Sequence, residues 1–300
     1  MMNENWRGIF AIVVTPFTDE LVLDEGALRR QVAFCIQAGA TGLVGPANAG
    51  EFATMSDEER QRWIRIVVEE ADGRVPVVAA TTHGHKVPAA ALSQFAQDVG
   101  ADGIMAMPPH ILHPDADGCF EYFRTLNDAL RIPICIQNFM GPIGTPMSSD
   151  LLARMCRELE WVQYLKEETL PEPRAISRTL AAAGDDCRGV FGGQGGIYMI
   201  DEWRRGACGN MPASQSVDLH TKIWGMLEEN DESGARELFN RLLPLINFER
   251  MHGVAVYKQV FLRRGIFSST ASRIPGAYLD SQDLQEFDAI WQDIAPLLKG

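Results

Sequence analysis

The chain contains only five lysines, at positions 86, 166, 222, 258 and 299, against 22 arginines. One of them is placed for chemistry. Lys166 sits in the run Val162-Gln-Tyr-Leu-Lys166-Glu-Glu168, at the C-terminal end of a short apolar segment. Strand alternation puts Tyr164, Lys166 and Glu168 on one face, with Leu165 and Glu167 on the other. A lysine on a buried face either pairs with a carboxylate or gives up its proton. A free lysine amine titrates near 10.4, so under about 0.1% is neutral at pH 7. Desolvation raises that fraction and turns the amine into a nucleophile for carbonyl carbon. The bland alternative is a buried Lys166–Glu168 ion pair, or a surface lysine on a strand misread. The other lysines compete poorly: Lys86 follows a strand on a loop, Lys222 and Lys258 fall on C-terminal helices as helix-face residues, and Lys299 is terminal.

Other groups cluster nearby in type. His83 and His85, in Thr81-Thr82-His83-Gly84-His85, share a face at strand spacing. No third ligand follows at a useful spacing, so loop hydrogen bonding is expected rather than a metal site. The run from Gly192 to Gly196 precedes a helix, and the amides around Gly193 and Gln194 could hold an anion there. A glycine-rich turn that only lets a strand enter a helix reads the same way. His110 and His113 flank a loop after Pro108-Pro109, and either is a candidate proton carrier or an exposed loop residue.

These residues need elements to position them. Short β-branched runs alternate with longer segments of helical period. Strands are predicted at 8–15, 42–48, 75–83, 103–107, 132–138, 162–167, 189–193 and 208–213, and helices at 24–38, 56–71, 87–99, 120–130, 149–159, 174–183 and 197–205. Asp24 reads as a helix cap, and Ser56 with Glu59 as a capping box. Eight strands with a helix between each pair fit a closed (β/α)8 TIM barrel over residues 1–216. Beyond it, helices at 217–229, 232–248, 254–263 and 283–298 form a C-terminal helical extension, residues 217–300. The alternative, an open doubly wound sheet, lacks its GxGxxG after the first strand. In such a barrel chemistry gathers at the C-terminal ends of the strands. Those ends carry Asn48, His83, His110, Gln137, Lys166, Glu168, Gly193 and Gln194.

Composition narrows the function. Forty acids against 27 bases give a formal charge of −13, with no basic stripe to neutralise phosphates, so a nucleic-acid partner is not expected. No apolar run is long enough to span a bilayer, and residues 1–7 are polar without a signal pattern, so a cytoplasmic protein with no membrane partner is expected. Six cysteines, at 35, 119, 135, 156, 187 and 208, have neither CxxC nor zinc spacing and read as buried thiols.

The residues also carry a family resemblance. The opening Gly8-Ile-Phe-Ala-Ile-Val-Val-Thr-Pro-Phe17, the motif Asn48-Ala49-Gly50-Glu51-Phe52 with Ser56-Asp-Glu-Glu-Arg60 behind it, the strand from Pro133 to Asn138 and Lys166-Glu167 resemble the dihydrodipicolinate synthase / N-acetylneuraminate lyase superfamily over nearly the whole chain. The resemblance implies a TIM barrel with a C-terminal helical domain, a homotetramer, and an imine between Lys166 and a small-molecule 2-keto acid, with no metal or organic cofactor. The synthases of that superfamily use a threonine and two tyrosines as a proton relay and an arginine for the second substrate. Here those positions read Asn48 (with Ala49 beside it), His110, Gln137 and Pro142. The set Ala47-Asn48, Thr81-Thr82-His83, Met107-Pro-Pro109, Ile136-Gln137, Lys166-x-Glu168-Thr169 and Leu243-Pro-Leu-Ile-Asn247 is more similar to the L-2-keto-3-deoxyarabonate dehydratase branch. That similarity implies a dehydratase of a 2-keto-3-deoxy sugar acid. In that reading Lys166 is the nucleophile and Glu168, then His110, the acid–base group. Asn48, Ala49 and Gly50 bind the substrate carboxylate, and Gln137, Gln194, His83 and Gly193 the rest of the substrate. A pyruvate-dependent aldolase or synthase, and a non-catalytic keto-acid-binding barrel, are the competing readings.

Overall fold

The computed structural model describes residues 5–298; Lys299 and the first four residues of the polar N-terminal segment lie outside that range. Eight parallel strands pair in chain order: β1 (Gly8–Ile12), β2 (Gly42–Gly45), β3 (Val77–Ala80), β4 (Gly103–Ala106), β5 (Ile134–Phe139), β6 (Val162–Glu168), β7 (Gly189–Gly192) and β8 (Gly209–Asn210). β8 pairs back to β1, which closes the barrel. The period-two pattern of each strand explains the closure. Phe10 and Ile12 of β1 point inward with Val44, Val78, Met105, Cys135, Tyr164 and Phe191, whereas Ile9 and Ala11 point outward onto the helices.

The surrounding helices are α1 (Glu25–Gln37), α2 (Asp57–Ala71), α3 (Lys86–Asp98), α4 (Ala116–Ala129), α5 (Ser149–Glu158), α6 (Glu172–Ala183), α7 (Met199–Arg204) and α8 (Val217–Glu228). Asp24 caps α1 by accepting from the Ala27 amide, and the Ser56–Glu59 capping box of α2 is reciprocal. Each such cap stabilises its helix by about 1 kcal/mol. α8 packs on β1 and α9, so it completes the ring of barrel helices, and the division drawn after residue 216 falls at its first residue. The extension proper is α9 (Glu232–His252), α10 (Val254–Arg263) and α11 (Ser281–Ile294). α9 also touches the turn that follows β7, which brings the extension to the C-terminal mouth of the barrel.

Boundaries moved where short polar interactions decide them. α4 starts four residues before the predicted position because Asp115 caps it through the Gly118 amide, although Gly118 weakens the helical pattern there. β1 ends at Ile12 and β8 spans two residues; beyond them a single bridge joins Ile12 to Ala213. α6 begins at Glu172, a carboxyl the apolar pattern gave no reason to place inside. All six cysteines are buried free thiols. Among the described residues no helix is long and apolar enough to cross a membrane.

Candidate active site

Below the site the barrel interior is packed with aromatic rings, which also line a cavity of about 460 Å³ at the N-terminal face. Trp6 stacks on Tyr164 with ring centroids 4.4 Å apart, and Phe10 meets Phe191 at 5.0 Å. Lys166 lies one inward layer above Tyr164, in register with Gln137 on β5 and Phe191 on β7. Its Nζ is 3.2 Å from Glu168 Oε1. Glu168 in turn accepts from Gln137 Nε2 at 2.7 Å and from the Gln194 amide at 3.1 Å. Lys166 is 5% and Glu168 4% exposed. The ion pair set out above as the bland alternative is therefore present, and it is not sealed. Both side chains line a cavity of about 310 Å³, together with Asn48, Ala49, Gln137, Phe139, Gln194 and Gly195. An amine beside a carboxylate at an open cavity can attack a carbonyl carbon and hand a proton to its neighbour.

The carboxamide wall opposite is held from behind. Asn48–Gly50 forms a short 3-10 turn, and the Gly50 carbonyl accepts from Thr15 Oγ1 at 2.6 Å. Asn48 Oδ1 is buried with no hydrogen-bond partner among the described residues. Glu51, next in the chain, adopts a left-handed φ of 57° and turns its carboxylate away from the cavity. Its Oε1 meets Lys258 Nζ at 2.5 Å, and its Oε2 accepts from Ser272 Oγ and the Arg273 amide at 2.8 and 2.9 Å. Lys258 is thus not a helix-face residue as its sequence position suggested. It is fully buried, sits over the Phe17 ring at 4.6 Å, and ties α10 to the Asn48 turn. Burial lowers its pKa, and Glu51 opposes that shift.

Behind Glu168 lies a second buried acid pair. Glu172 Oε1 accepts from the Gly193 amide and Glu202 Oε2 from Asn210 Nδ2, both at 2.8 Å. Their remaining oxygens, Glu172 Oε2 and Glu202 Oε1, meet no N–H or hydroxyl donor among the described residues. The two carboxyls interact directly, so one proton shared between them satisfies both. Burial, followed by the charge of its partner, holds Glu172 well above the ordinary carboxylate range, and burial pushes Glu202 up to about 7.

The other sequence candidates are distributed around this centre. The amide of Gly193 is taken by Glu172, and its Cα packs against the Glu168 carboxylate; Gly193 does not line the cavity. Gly50 ends the Asn48 turn and does not line the cavity. His85 caps α3, while His83 Nε2 lies 3.5 Å from Asp57 Oδ2, so the two rings serve different elements. His110 stacks edge-on against Phe52 at 5.4 Å. Its pKa is lowered by burial first, then by His83, Arg60 and His113. Neither histidine lines the Lys166 cavity. Among the described residues no group of three or more His, Cys, Asp and Glu side chains is arranged to hold a metal ion.

The model of the dihydrodipicolinate synthetase family matches residues 5–294. The chain belongs to this family. As a dihydrodipicolinate synthetase family member it is a lyase. It is 34% identical to an L-2-keto-3-deoxyarabonate dehydratase from Azospirillum brasilense over 297 residues, covering 97% of this chain and 96% of the relative. It is 32% identical to a 4-hydroxy-tetrahydrodipicolinate synthase from Bradyrhizobium diazoefficiens over 242 residues, covering 81% of each. Its fold superimposes on the crystal structure of a dihydrodipicolinate synthase from Rhodopseudomonas palustris with a TM-score of 0.89, at 25% identity, over 96% of this chain and 98% of that one.

This dihydrodipicolinate synthetase family member brings three residues to the cavity that sequence reasoning passed over: Glu249, Arg250 and Tyr257. Glu249 is 3% exposed, and burial pushes its carboxyl up to about 8, with the Gln215 hydrogen bond opposing. A signal was present. Glu249 follows Leu245 by four and Ile246 by three, so it lies on the buried stripe of α9 rather than on its wet face.

Proposed function

We propose that the protein is a Schiff-base-forming hydro-lyase acting on a 2-keto-3-deoxy sugar acid. The observation that carries this reading is Lys166 Nζ, 3.2 Å from Glu168 Oε1 at an open cavity, with Gln137 bonded to that carboxylate where the superfamily's synthases have a relay tyrosine. Overall similarity along 97% of the chain to a dehydratase supports it.

The chemistry follows from the placement. The neutral Lys166 amine attacks the C2 carbonyl; water leaves and an imine forms. Its protonated nitrogen withdraws the electrons of the C3–H bond, so Glu168 removes a C3 proton and an enamine results. The enamine electrons return to expel the C4 hydroxyl, which takes the proton from Glu168 and departs as water. Tautomerisation of the unsaturated imine and its hydrolysis release a saturated product one water lighter than the substrate and restore Lys166. Gln137 fixes the Glu168 carboxylate through Oε2, leaving Oε1 toward the amine. The first amides of the Asn48–Gly50 turn, which have no carbonyl of their own turn to bond, donate to the substrate carboxylate, and Asn48 Oδ1 accepts from a substrate hydroxyl. His110 and His83 stand outside this scheme.

Product analysis is the test. Incubation with 2-keto-3-deoxypentonate is expected to yield a five-carbon semialdehyde acid. Pyruvate with a two-carbon aldehyde instead would make the protein an aldolase, and no turnover with reducible adduct absent would leave a binding barrel. Glu168→Gln is expected to lose turnover while imine formation persists. The reading also carries the homotetramer and the cytoplasmic location expected from the sequence, which light scattering and cell fractionation check.

A further inference from the structure

The far wall of the Lys166 cavity comes from the helical extension. α9 ends and α10 begins at Gly253, whose φ of 54° turns the chain sharply enough that both flanking turns face one space. Glu249 and Arg250, in the last turn of α9, and Tyr257, in the first turn of α10, line the same cavity as Lys166 and Glu168. Arg250 is occupied, since its Nη1 donates to Gln194 Oε1 at 2.8 Å. Glu249 is half occupied. Its Oε1 accepts from Gln215 Nε2 at 2.5 Å, while its Oε2 has no hydrogen-bond partner among the described residues. No cation lies within ion-pair distance of that carboxyl among the described residues, although it is almost wholly buried.

A buried carboxyl without a counter-charge keeps its proton. With Oε1 accepting from an amide, the proton resides on Oε2, which is left free at the cavity. A carboxylic acid so placed is a hydrogen-bond donor. The groups facing this corner are Gln215 from the chain before α8, Arg250 on α9, Tyr257 on α10, and Glu168 with Lys166 from β6. None of them supplies a free positive charge for a second anionic group, so the wall suits an uncharged, hydroxylated tail.

We infer that Glu249 is a specificity-determining residue that donates from Oε2 to a distal hydroxyl of the bound 2-keto acid, so that the helical extension selects a polyol tail. The inference rests on the Schiff-base reading above and adds to it which end of the substrate the extension recognises.

The test uses two five-carbon 2-keto acids, 2-keto-3-deoxypentonate and its hydroxyl-free counterpart 2-oxopentanoate. Borohydride trapping at a short quench, with the substrate and dehydrated adducts summed by intact mass, gives the half-saturating concentration of each. It is measured for the wild type, Glu249→Gln, which keeps a donor, and Glu249→Leu, which does not. Glu249→Leu is expected to raise the half-saturating concentration of the hydroxylated acid about tenfold, the worth of one hydrogen bond. It should leave that of 2-oxopentanoate within about twofold, and Glu249→Gln should stay near the wild type for both. Unchanged trapping of 2-oxopentanoate also shows that the variant is folded. Equal changes for the two acids, or none for either, overturn the role of Glu249 alone. Failure of the wild type to trap either acid overturns the Schiff-base reading beneath it.

Discussion

Gly193→Ala tests the placement of Glu168 without touching its chemistry. A Cβ on Gly193 would lie 2.4 Å from Glu168 Oε1 and 2.5 Å from its Cγ, against the 3.4 Å at which ordinary contacts begin. The backbone of Gly193, at φ of −141° and ψ of −135°, lies outside the regions alanine prefers, so the variant also loses some stability, but its amide is anchored to buried Glu172 at 2.8 Å. The Glu168 side chain must therefore give way, by about 1 Å. That is enough to break the 3.2 Å approach to Lys166 and the 2.7 Å bond from Gln137 together. A misplacement of about 1 Å in a reacting group costs roughly 10²-fold in rate, which is about 2.7 kcal/mol. The assay pairs kcat for 2-keto-3-deoxypentonate with borohydride trapping of pyruvate. The expected outcome is kcat down roughly 10²-fold with trapping retained, because Lys166 itself is untouched. Gly225→Ala, on α8 with nothing within 4 Å of its added methyl, is the control and should change neither. A Gly193→Ala enzyme that is folded and turns over within about threefold of the wild type would show that Glu168 is not the proton carrier.

Three further outcomes are expected. Glu51→Gln removes the charge that meets Lys258 in a fully buried pair, and breaking one partner of such a pair costs about 3–5 kcal/mol, read as a lower midpoint in urea. Lys258→Met in the Glu51→Gln background should recover part of that loss, and a single variant as stable as the wild type would refute the anchoring role. Glu249 makes stability depend on pH. Its folded pKa, about 8, stands above its ordinary value of 4.5. The proton that the fold retains is one the unfolded chain releases, so this contribution is complete below pH 4.5 and is lost as pH rises through about 8. The loss is on the order of 4–5 kcal/mol. Glu249→Gln should therefore match the wild type in thermal midpoint near pH 4.5 and exceed it by pH 8.5; equal midpoints at both ends would remove Glu249 as the source.

Much of this site was legible because barrel logic converts a strand-end position into an address. Lys166 is a rare lysine in an apolar strand, and alternation alone put Glu168 on its face, as the structure shows. Gln137 followed from the strand beside it. What escaped the sequence was set by tertiary return of the chain. Nothing local says that the α9–α10 corner folds back over the barrel mouth, so Glu249, just past the predicted helix end at 248, and Tyr257, inside the helix predicted at 254–263, were not singled out. Lys258 was misjudged for the same reason, since its partner Glu51 lies more than 200 residues away. Glu172 and Glu202 were not singled out, because a shared proton between two buried carboxyls leaves no trace in composition.

In the proposed reaction the Lys166 amine forms the covalent bond to substrate. Borohydride reduction in the presence of pyruvate, followed by peptide mapping, tests it directly. A single adduct on Lys166, absent in Lys166→Ala, is expected. An adduct on another lysine, or turnover surviving in Lys166→Ala, would contradict it.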